Sequence, residues 1–282
     1  MTAGYHETSE RHAERIARLL AQGPVVVLTG AGLSTASGIP DYRDREGQWK
    51  AAKPIDHNNF LRSDSARRRY WARSYIGWPT VGLAQPTRGH HALARLEGLE
   101  RIALIITQNV DGLHQKARSR AVLELHGGLD RVLCLACRQT YPRGLVQLWL
   151  SAANPGCTTQ ADRLGPDGDA ELKEASAADF AVPACPSCGG LLKPDVVFFG
   201  DSVPGDRVRA ALDAIDTANG VLVVGSSLMV YSGFRLVEHA RRKGKPVMAV
   251  NLGKTRADDF LDAKLEQDCD EFLHRLPTHF GG

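Results

Sequence analysis

The sequence predicts an α/β protein with a doubly wound parallel sheet, a smaller zinc-binding lobe and a helical insertion. Two observations lead to this fold class. Short apolar or β-branched segments alternate with amphipathic segments of helical length, which is the pattern of a parallel sheet covered by helices. Two pairs of closely spaced cysteines, Cys134/Cys137 and Cys185/Cys188, then interrupt this alternation. The length of 282 residues allows one large domain or two smaller ones.

Five segments are predicted to be buried parallel strands, because each is short, apolar and followed by glycine or small polar residues. They are Val25–Thr29, Ile102–Thr107, Val196–Phe199, Val221–Val224 and Val247–Val250. Helices are predicted between them at 9–21, 88–98, 205–217 and 232–243, lengths that suit crossover connections. Ligands bind beyond the carboxyl ends of the strands in open α/β sheets, so five polar strand endings predict a cleft there. Any one of these endings could also be a simple turn.

The interruptions define the predicted domain layout. Residues 1–48, 81–126 and 192–282 are expected to form a Rossmann-like nucleotide-binding domain. Residues 49–80 are expected to be a helical insertion with a local cluster of arginines, and 127–191 a small domain containing both cysteine pairs. The segment at about 145–180 is interpreted as a loop inserted between these pairs.

Composition excludes several classes of protein. Hydrophobic residues make up 43% and charged residues 24%, with a net charge of +3, so the chain is neither disordered nor basic enough to indicate a nucleic-acid partner. No apolar run approaches the roughly 18 residues of a membrane span. Residues 1–22 lack the apolar core of a signal peptide, and Glu7, Glu10 and Glu14 argue against mitochondrial targeting. We therefore expect a cytoplasmic protein, with the mitochondrial matrix as the alternative, and a monomer.

The first predicted strand is followed by Gly30-Ala31-Gly32, a pattern that lets backbone approach a pyrophosphate. Position 35 is Thr where the dehydrogenase fingerprint has its third glycine, and Lys50 stands where an acid for the ribose is expected. The sequence thus predicts dinucleotide binding without hydride transfer. The continuation Gly-Ile-Pro-Asp-Tyr-Arg at 38–43 contains more special residues than a turn requires.

The four paired cysteines have the spacing of two zinc knuckles, and four thiolates would close the coordination shell of one structural ion. Free buried thiols and two disulfides are the alternatives. A nucleic-acid-binding ribbon is a further alternative, although the segment between the pairs is acidic.

Two further motifs contain candidate catalytic groups. His126 precedes Gly127-Gly128 where two lobes would meet, and the ordinary pKa of histidine suits a general base. Spacing does not rank it above His90, His91 or His114. In Thr107–His114, Asn109 and Asp111 could orient a carboxamide or ribose hydroxyls, or simply form an Asx turn that caps the next helix.

Taken together, these motifs resemble those of the sirtuins, the NAD-dependent protein lysine deacylases. GAGLSTASGIPDYR at 30–43, TQNVDGLH at 107–114, LHGG at 125–128, the two cysteine pairs, KPDVVFFGD at 193–201 and GSSL at 225–228 occur in the family's order. RYWAR at 69–73 and DRVLCLAC at 130–137 are similar to the class II branch, which includes a mitochondrial sirtuin of animals.

The resemblance implies that an acyl group passes from lysine to the ADP-ribose of NAD, with release of nicotinamide and one structural zinc ion. It implies that His126 is the general base and that Asn109 belongs to the catalytic centre. The implied cofactor contacts are Gly30, Ala31, Gly32, Thr35, Asp41, Tyr42, Arg43, Gln108, Asn109, Val110, Asp111, Gly225, Ser226, Ser227, Asn251, Leu252, Gly253 and Cys269. Val196, Val197, Phe198 and Phe199 would pair with an extended acyl-lysine peptide.

The sequence leaves alternatives open for the acyl group that is recognised and for the reaction that is catalysed. Tyr70 and Arg73 have the Tyr-x-x-Arg spacing with which class III sirtuins hold an acidic acyl chain, so we hypothesise that Arg73 favours carboxylated or branched acyl groups. An arginine-rich solvated helix face would give the same spacing. The alternative activity is protein mono-ADP-ribosylation at the same NAD site, and the non-enzymatic alternative is a zinc- or NAD-binding module.

Overall fold

The computed structural model describes residues 2–50, 54–157, 165, 169–170 and 177–281, with side chains described from residue 9 onward. The helices are α1 (Thr2–Gln22), α2 (His57–Arg62), α3 (Asp64–Leu83), α4 (Arg88–Gly98), α5 (Leu113–Lys116), α6 (Arg143–Ala153), α7 (Gly205–Thr217), α8 (Tyr231–Arg242) and α9 (Cys269–Arg275). The strands are β1 (Val25–Thr29), β2 (Ile102–Thr107), β3 (Val122–Glu124), β4 (Gly127–Cys134), β5 (Thr140–Pro142), β6 (Leu192–Val196), β7 (Val221–Val224), β8 (Val247–Val250) and β9 (Ala263–Leu265). None of these helices combines the length and the hydropathy that a membrane crossing requires.

The larger sheet is parallel throughout, in the order β3-β2-β1-β7-β8-β9. One of its faces packs against α1, α4 and α9, and the opposite face packs against α7 and α8. All residues of β1, β7 and β8 are buried, because helices cover both faces. The predicted doubly wound fold is therefore confirmed.

Four of the five predicted strands have the predicted bounds, but the prediction of Val196–Phe199 as a parallel core strand is wrong. The strand there is β6, which ends at Val196 and pairs antiparallel with β4 in a separate sheet of order β5-β4-β6. Cys134 lies opposite Leu192, so this pairing follows from the cysteine sites that flank both strands. An apolar run in the sequence does not determine which sheet a strand joins.

Around the smaller sheet, α2, α3 and α6 build a second core that includes Phe60, Tyr70, Trp71 and Leu150. Residues 145–153 belong to helix α6, so the prediction of a loop at about 145–180 is wrong for these residues. Within this segment, residues 158–164, 166–168 and 171–176 lie outside the described residues. The predicted domain bounds stay a prediction.

The turns after β1 and β7 touch through their glycines. Gly32 N–H donates to the Gly225 carbonyl over 2.9 Å. Gly225 has a φ of 59°, and a Cβ added there would lie 2.6 Å from the Leu33 nitrogen. Only glycine allows this approach, which brings the polar endings of two adjacent strands to one point.

Candidate active site

A cavity of about 570 Å³ lies beyond the carboxyl ends of β1, β2, β7 and β8 and extends along the segment after β6. It is lined by 21 of the predicted site residues, namely Gly30, Ala31, Gly32, Thr35, Asp41, Tyr42, Arg43, Gln108, Asn109, Val110, His126, Val196, Val197, Phe198, Phe199, Gly225, Ser226, Ser227, Asn251, Leu252 and Cys269. The strand endings thus converge on one cleft, as parallel-sheet topology requires.

Four of the predicted cofactor and substrate residues do not line this cavity. Asp111 borders a smaller adjoining cavity that shares Gln108 and Asn109 with it. Gly253 packs on backbone instead, since a Cβ added to it would lie 2.4 Å from the Arg45 carbonyl oxygen. Of the other two, Tyr70 belongs to the second core, and Arg73 contacts Asp169 and Ala170.

His126 is held by hydrogen bonds at both ring nitrogens. Nδ1 lies 2.9 Å from the backbone oxygen of Gln108, which only accepts hydrogen bonds, so Nδ1 carries the proton. Nε2 lies 2.7 Å from the Ser232 hydroxyl and accepts its hydrogen bond in the neutral ring. The structure therefore fixes the tautomer whose Nε2 has a lone pair.

The surroundings of His126 favour this neutral form. Burial lowers the pKa of His126, and the positive charges of Arg207 and Arg235 lower it further, against the opposing effect of the Gln108 hydrogen bond. A base that is unprotonated at neutral pH is the form that can accept a proton.

The other histidine candidates lie away from the cavity. His114 Nε2 is 3.0 Å from the Thr29 hydroxyl, and the His114 and His90 ring centroids are 4.7 Å apart in the core beneath β1. His91 is exposed on α4. Geometry, and not spacing, thus singles out His126.

Beside the cavity, Ser34 joins the two candidate polar residues of the β2 ending. Asn109 Nδ2 donates to Ser34 Oγ over 3.0 Å, and that hydroxyl donates to Asp111 Oδ2 over 2.7 Å. The Leu113 amide donates to the other carboxylate oxygen, which is the Asx turn that the sequence also allowed. Burial raises the pKa of Asp111. These contacts fix an amide and a carboxyl at the junction of the two cavities.

The loop after β1 lines the cavity and is held by an ion pair and ring contacts. Lys50 Nζ lies 2.5 Å from Asp41 Oδ1, and the Arg43 guanidinium stacks 4.2 Å from the Trp49 ring centroid. Trp49 also meets Phe199 edge to face at 5.5 Å. This arrangement links the loop to the segment after β6.

Side-chain amides and a thiol line the cavity after β2, after β8 and at the start of α9. Gln108 Nε2 donates to Ser226 Oγ over 2.8 Å, and Asn251 Nδ2 donates to the Leu252 carbonyl over 3.0 Å. The Cys269 thiol donates to the Gly32 carbonyl over 3.4 Å, and burial raises the pKa of Cys269 to about 12. Cys269 is therefore an unreactive wall of the cavity and has no thiolate chemistry.

The four paired cysteines form a cluster whose sulfur atoms all lie within 4.8 Å of one another. Cys134 and Cys188 sulfurs are 3.5 Å apart, and those of Cys137 and Cys185 are 3.8 Å apart. Thiolates at about 2.3 Å from a tetrahedral zinc ion lie about 3.8 Å from one another, so this set fits zinc. With four protein ligands the ion would be structural.

Arg73 is held by groups of its own lobe. Its guanidinium lies 3.6 Å from Asp169 Oδ2, and its Nε donates to the Ala170 carbonyl over 3.1 Å. Tyr70 contacts Phe198, a cavity-lining residue, with ring centroids 5.2 Å apart. The hypothesis that these two residues select the acyl group stays a prediction.

Several residues of this region were not predicted from the sequence, and three of them contact site residues or carry charge beside them. Ser232 and Arg235, both from the start of α8, line the cavity beside His126. Lys193 is buried beneath Phe198, with Nζ 4.2 Å from the ring centroid and 3.9 Å from Asp201 Oδ2. The sequence offered one indication for Ser232 and Arg235, namely that they follow the polar residues after β7 within about ten positions.

Fold and site together define an α/β protein with a nucleotide-type cleft and a separate four-cysteine lobe. Residues 30–232 match the family model described as the Sir2 family. An NAD-dependent protein deacetylase of Xanthomonas campestris pv. campestris is 55% identical over 247 residues, covering 88% of this chain and 84% of that protein. The chain therefore belongs to the Sir2 family.

More distant relatives agree with this assignment. The NAD-dependent protein lipoamidase sirtuin-4, mitochondrial, of Bos taurus is 47% identical over 252 residues, covering 88% of this chain and 80% of that protein. This similarity agrees with the class II resemblance of the motifs. A solved Sir2–p53 peptide–NAD+ complex is similar with a TM-score of 0.75 and 32% identity, covering 95% of this chain and 98% of that chain.

Proposed function

We propose that the protein is an NAD-dependent protein lysine deacylase that transfers the acyl group of an acylated lysine to ADP-ribose. The observation that carries this proposal is His126, a neutral histidine whose Nε2 lone pair lies in a cleft bounded by the Gly30–Gly32 turn. Relatives in the same family are named NAD-dependent protein deacetylases.

The residues of the cleft fit NAD. The Gly32–Gly225 contact leaves backbone at the cavity wall where a side chain would otherwise stand, which suits a pyrophosphate. When bound, NAD supplies the ADP-ribose that accepts the acyl group, and nicotinamide leaves. We assign Asn109 and Asp111 to the carboxamide of the nicotinamide, because an amide and a carboxyl meet at the smaller cavity.

His126 acts as the general base in this proposal. Its Nε2 takes the proton of a ribose hydroxyl, while Nδ1 stays bound to the Gln108 carbonyl and keeps the ring oriented. This assignment requires the Ser232 hydroxyl to release Nε2 or to pass the proton onward.

The acyl-lysine substrate is assigned to the segment of 196–199. The Val197 amide donates to the His126 carbonyl over 2.8 Å, so this segment runs directly beside the base. Phe198 and Phe199 supply apolar walls for the acyl-lysine side chain and exclude water from it. An extended peptide would add to this edge through its backbone.

Incubation with NAD and a panel of acyl-lysine peptides tests the proposal by mass spectrometry. We expect deacylated peptide, O-acyl-ADP-ribose and free nicotinamide, and we expect His126→Ala to lower product formation by at least about 100-fold. ADP-ribose attached to protein without loss of the acyl group would instead support the transferase alternative, which the names of these relatives do not favour. Unchanged nicotinamide release by His126→Ala would contradict both enzymatic functions.

A further inference from the structure

The cavity contains a guanidinium that has no counter-ion among the residues that the structure describes. Arg235 lies near the start of α8 and lines the cavity. Its Nε is buried and has no hydrogen-bond partner among the residues described. An arginine stays charged at any ordinary pH, and a half-buried charge is stabilised only when an opposite charge or strong acceptors surround it.

The other charged groups that line the cavity are already engaged. Asp41 pairs with Lys50, and the Asp44 carboxylate accepts the Gln48 amide over 2.8 Å. The carboxylate of Asp201 lies 3.1 Å from His57 Nδ1. Asp268 caps α9 through the Glu271 amide at 3.0 Å. Arg43, the second cavity arginine, donates to the Gly47 carbonyl over 2.6 Å. In the described part of the cavity, Arg235 is thus the cation left without a protein acceptor.

The position of Arg235 points to the substrate and away from the dinucleotide phosphates. It follows Ser232 by three residues, which places both on the same face of α8. Ser232 touches His126, and the charge of Arg235 is close enough to lower the pKa of that histidine. The glycine turn assigned to the pyrophosphate is formed instead by the endings of β1 and β7.

We propose that Arg235 binds a carboxylate of the acylated substrate and makes the enzyme selective for acidic substrates, an inference that rests on the proposed deacylase function. A guanidinium and a carboxylate form two parallel charge-assisted hydrogen bonds, which are stronger than bonds between neutral groups. The carboxylate can belong to the end of a dicarboxylic acyl chain or to an acidic side chain beside the acylated lysine. Arg73, the other candidate, already faces Asp169 outside the cavity.

The test compares two pairs of peptides with the wild-type enzyme and Arg235→Met. The first pair contains glutaryl-lysine or acetyl-lysine in one neutral sequence, and the second contains acetyl-lysine next to Glu or next to Gln. We expect Arg235→Met to lower the ratio of kcat/KM for the acidic member to kcat/KM for the neutral member by about 10- to 100-fold in one pair. The ratio cancels the effect that loss of the Arg235 charge has on the pKa of His126, because both members of a pair use the same base. The pair that responds identifies the source of the carboxylate.

Arg207→Gln is the matched control. Arg207 also lowers the pKa of His126, but it pairs with Asp195 at 3.7 Å and does not line the cavity, so it should leave both ratios unchanged. Arg235→Lys keeps the charge and should retain part of the selectivity, which separates charge recognition from a folding defect. An unchanged KM for NAD in Arg235→Met would confirm that the phosphates are not its ligand.

Three results would overturn the proposal: no acidic preference in the wild type, ratios within twofold of wild type in Arg235→Met, or a ratio that responds to Arg73→Met alone. If no peptide turns over with NAD, the deacylase function fails instead. Calorimetric binding of the same peptides would then still decide whether Arg235 recognises the carboxylate.

Discussion

The Ser232 hydroxyl lies 2.7 Å from Nε2 of His126, the nitrogen whose lone pair is needed for general-base catalysis. Because Nδ1 donates to the Gln108 carbonyl, the neutral ring accepts the hydrogen bond of Ser232. A protonated ring would instead donate from Nε2 to the same oxygen, because a hydroxyl both donates and accepts. Ser232 is therefore a hydrogen-bond partner of the base in both of its protonation states.

We predict that Ser232→Ala moves the acid limb of the kcat/KM profile to lower pH. The hydrogen bond that the protonated ring donates is charge-assisted and stronger than the one that the neutral ring accepts, so its loss lowers the pKa of His126. A difference of about 1 kcal/mol corresponds to a shift of somewhat less than one pH unit. Ser232→Thr, which keeps the hydroxyl, should keep the acid limb at the wild-type pH. An acid limb that stays in place in Ser232→Ala, or moves to higher pH, would contradict this role.

Lys193 is predicted to position the peptide-facing segment. Its ammonium donates to the Val196 carbonyl and lies over the Phe198 ring, although burial lowers the pKa of Lys193. Lys193→Met removes this contact while keeping the apolar volume, so we expect a rise of roughly tenfold in the KM for peptide, with the KM for NAD within twofold. Lys245→Met is the control, because Lys245 binds the remote Ala218 carbonyl. Equal effects on both KM values would argue for a general folding defect.

The four-cysteine cluster is predicted to bind one zinc ion per chain. Cys188→Ala should abolish stoichiometric zinc, measured by mass spectrometry of the metal, and lower the Tm by roughly 10 °C or more. Cys188 is exposed, so its loss acts through the metal and not through core packing. Cys157→Ala, outside the cluster, should retain the zinc. A metal-free wild type with an unchanged Tm after chelation would refute this prediction.

The buried pair His90 and His114 is predicted to make the fold sensitive to acid. Burial lowers the pKa of His90 to about 4 and that of His114 well below its ordinary value. Between about pH 6.5 and 4 the unfolded chain therefore binds more protons than the native one, and the free energy of unfolding falls as the pH falls. For His90 the loss amounts to roughly 3 kcal/mol over this range.

Urea unfolding measured at pH 7, 6 and 5 checks this dependence on acid. His90→Gln removes one titrating group, so the free energy of unfolding should decline less steeply as the pH falls. His91→Gln changes an exposed neighbour and should leave the decline unchanged. A stability that does not change across this range would mean that the two rings are protonated in the native state.

Much of the cleft was predictable from the sequence because its determinants are local. The Gly30–Gly32 turn follows a strand with a strong apolar signal, and the cysteine spacing encodes a tetrahedral ligand set. Both features depend on residues that are adjacent in the chain. The bounds of β1, β2, β7 and β8 agree with the prediction for the same reason.

The failures concern pairing partners and tertiary contacts. Strand β6 contains Lys193, Pro194 and Asp195, and the apolar run of the prediction begins only at its last residue, Val196. Its antiparallel pairing with β4 depends on contacts between residues about 60 positions apart in the sequence. The edge strands β3 and β9 have only three residues each, too few to show a periodic pattern. Ser232 and Arg235 lack a motif of their own, and only the packing of α8 against the cleft gives them a role.

The paired strands β4 and β6 connect the predicted zinc site at one end with His126 at the other. The strands meet near the cluster, where Cys134 faces Leu192, and at the opposite end, where Gly127 faces Val196 beside His126. Eight residues of strand span about 25 Å. The zinc site therefore holds the end of this strand pair that lies farthest from His126 and from the peptide-facing segment. Oxidation of one thiolate would release the metal and change the orientation of the two strands. We expect this change to misalign His126 and the peptide, and to slow turnover before the parallel sheet unfolds.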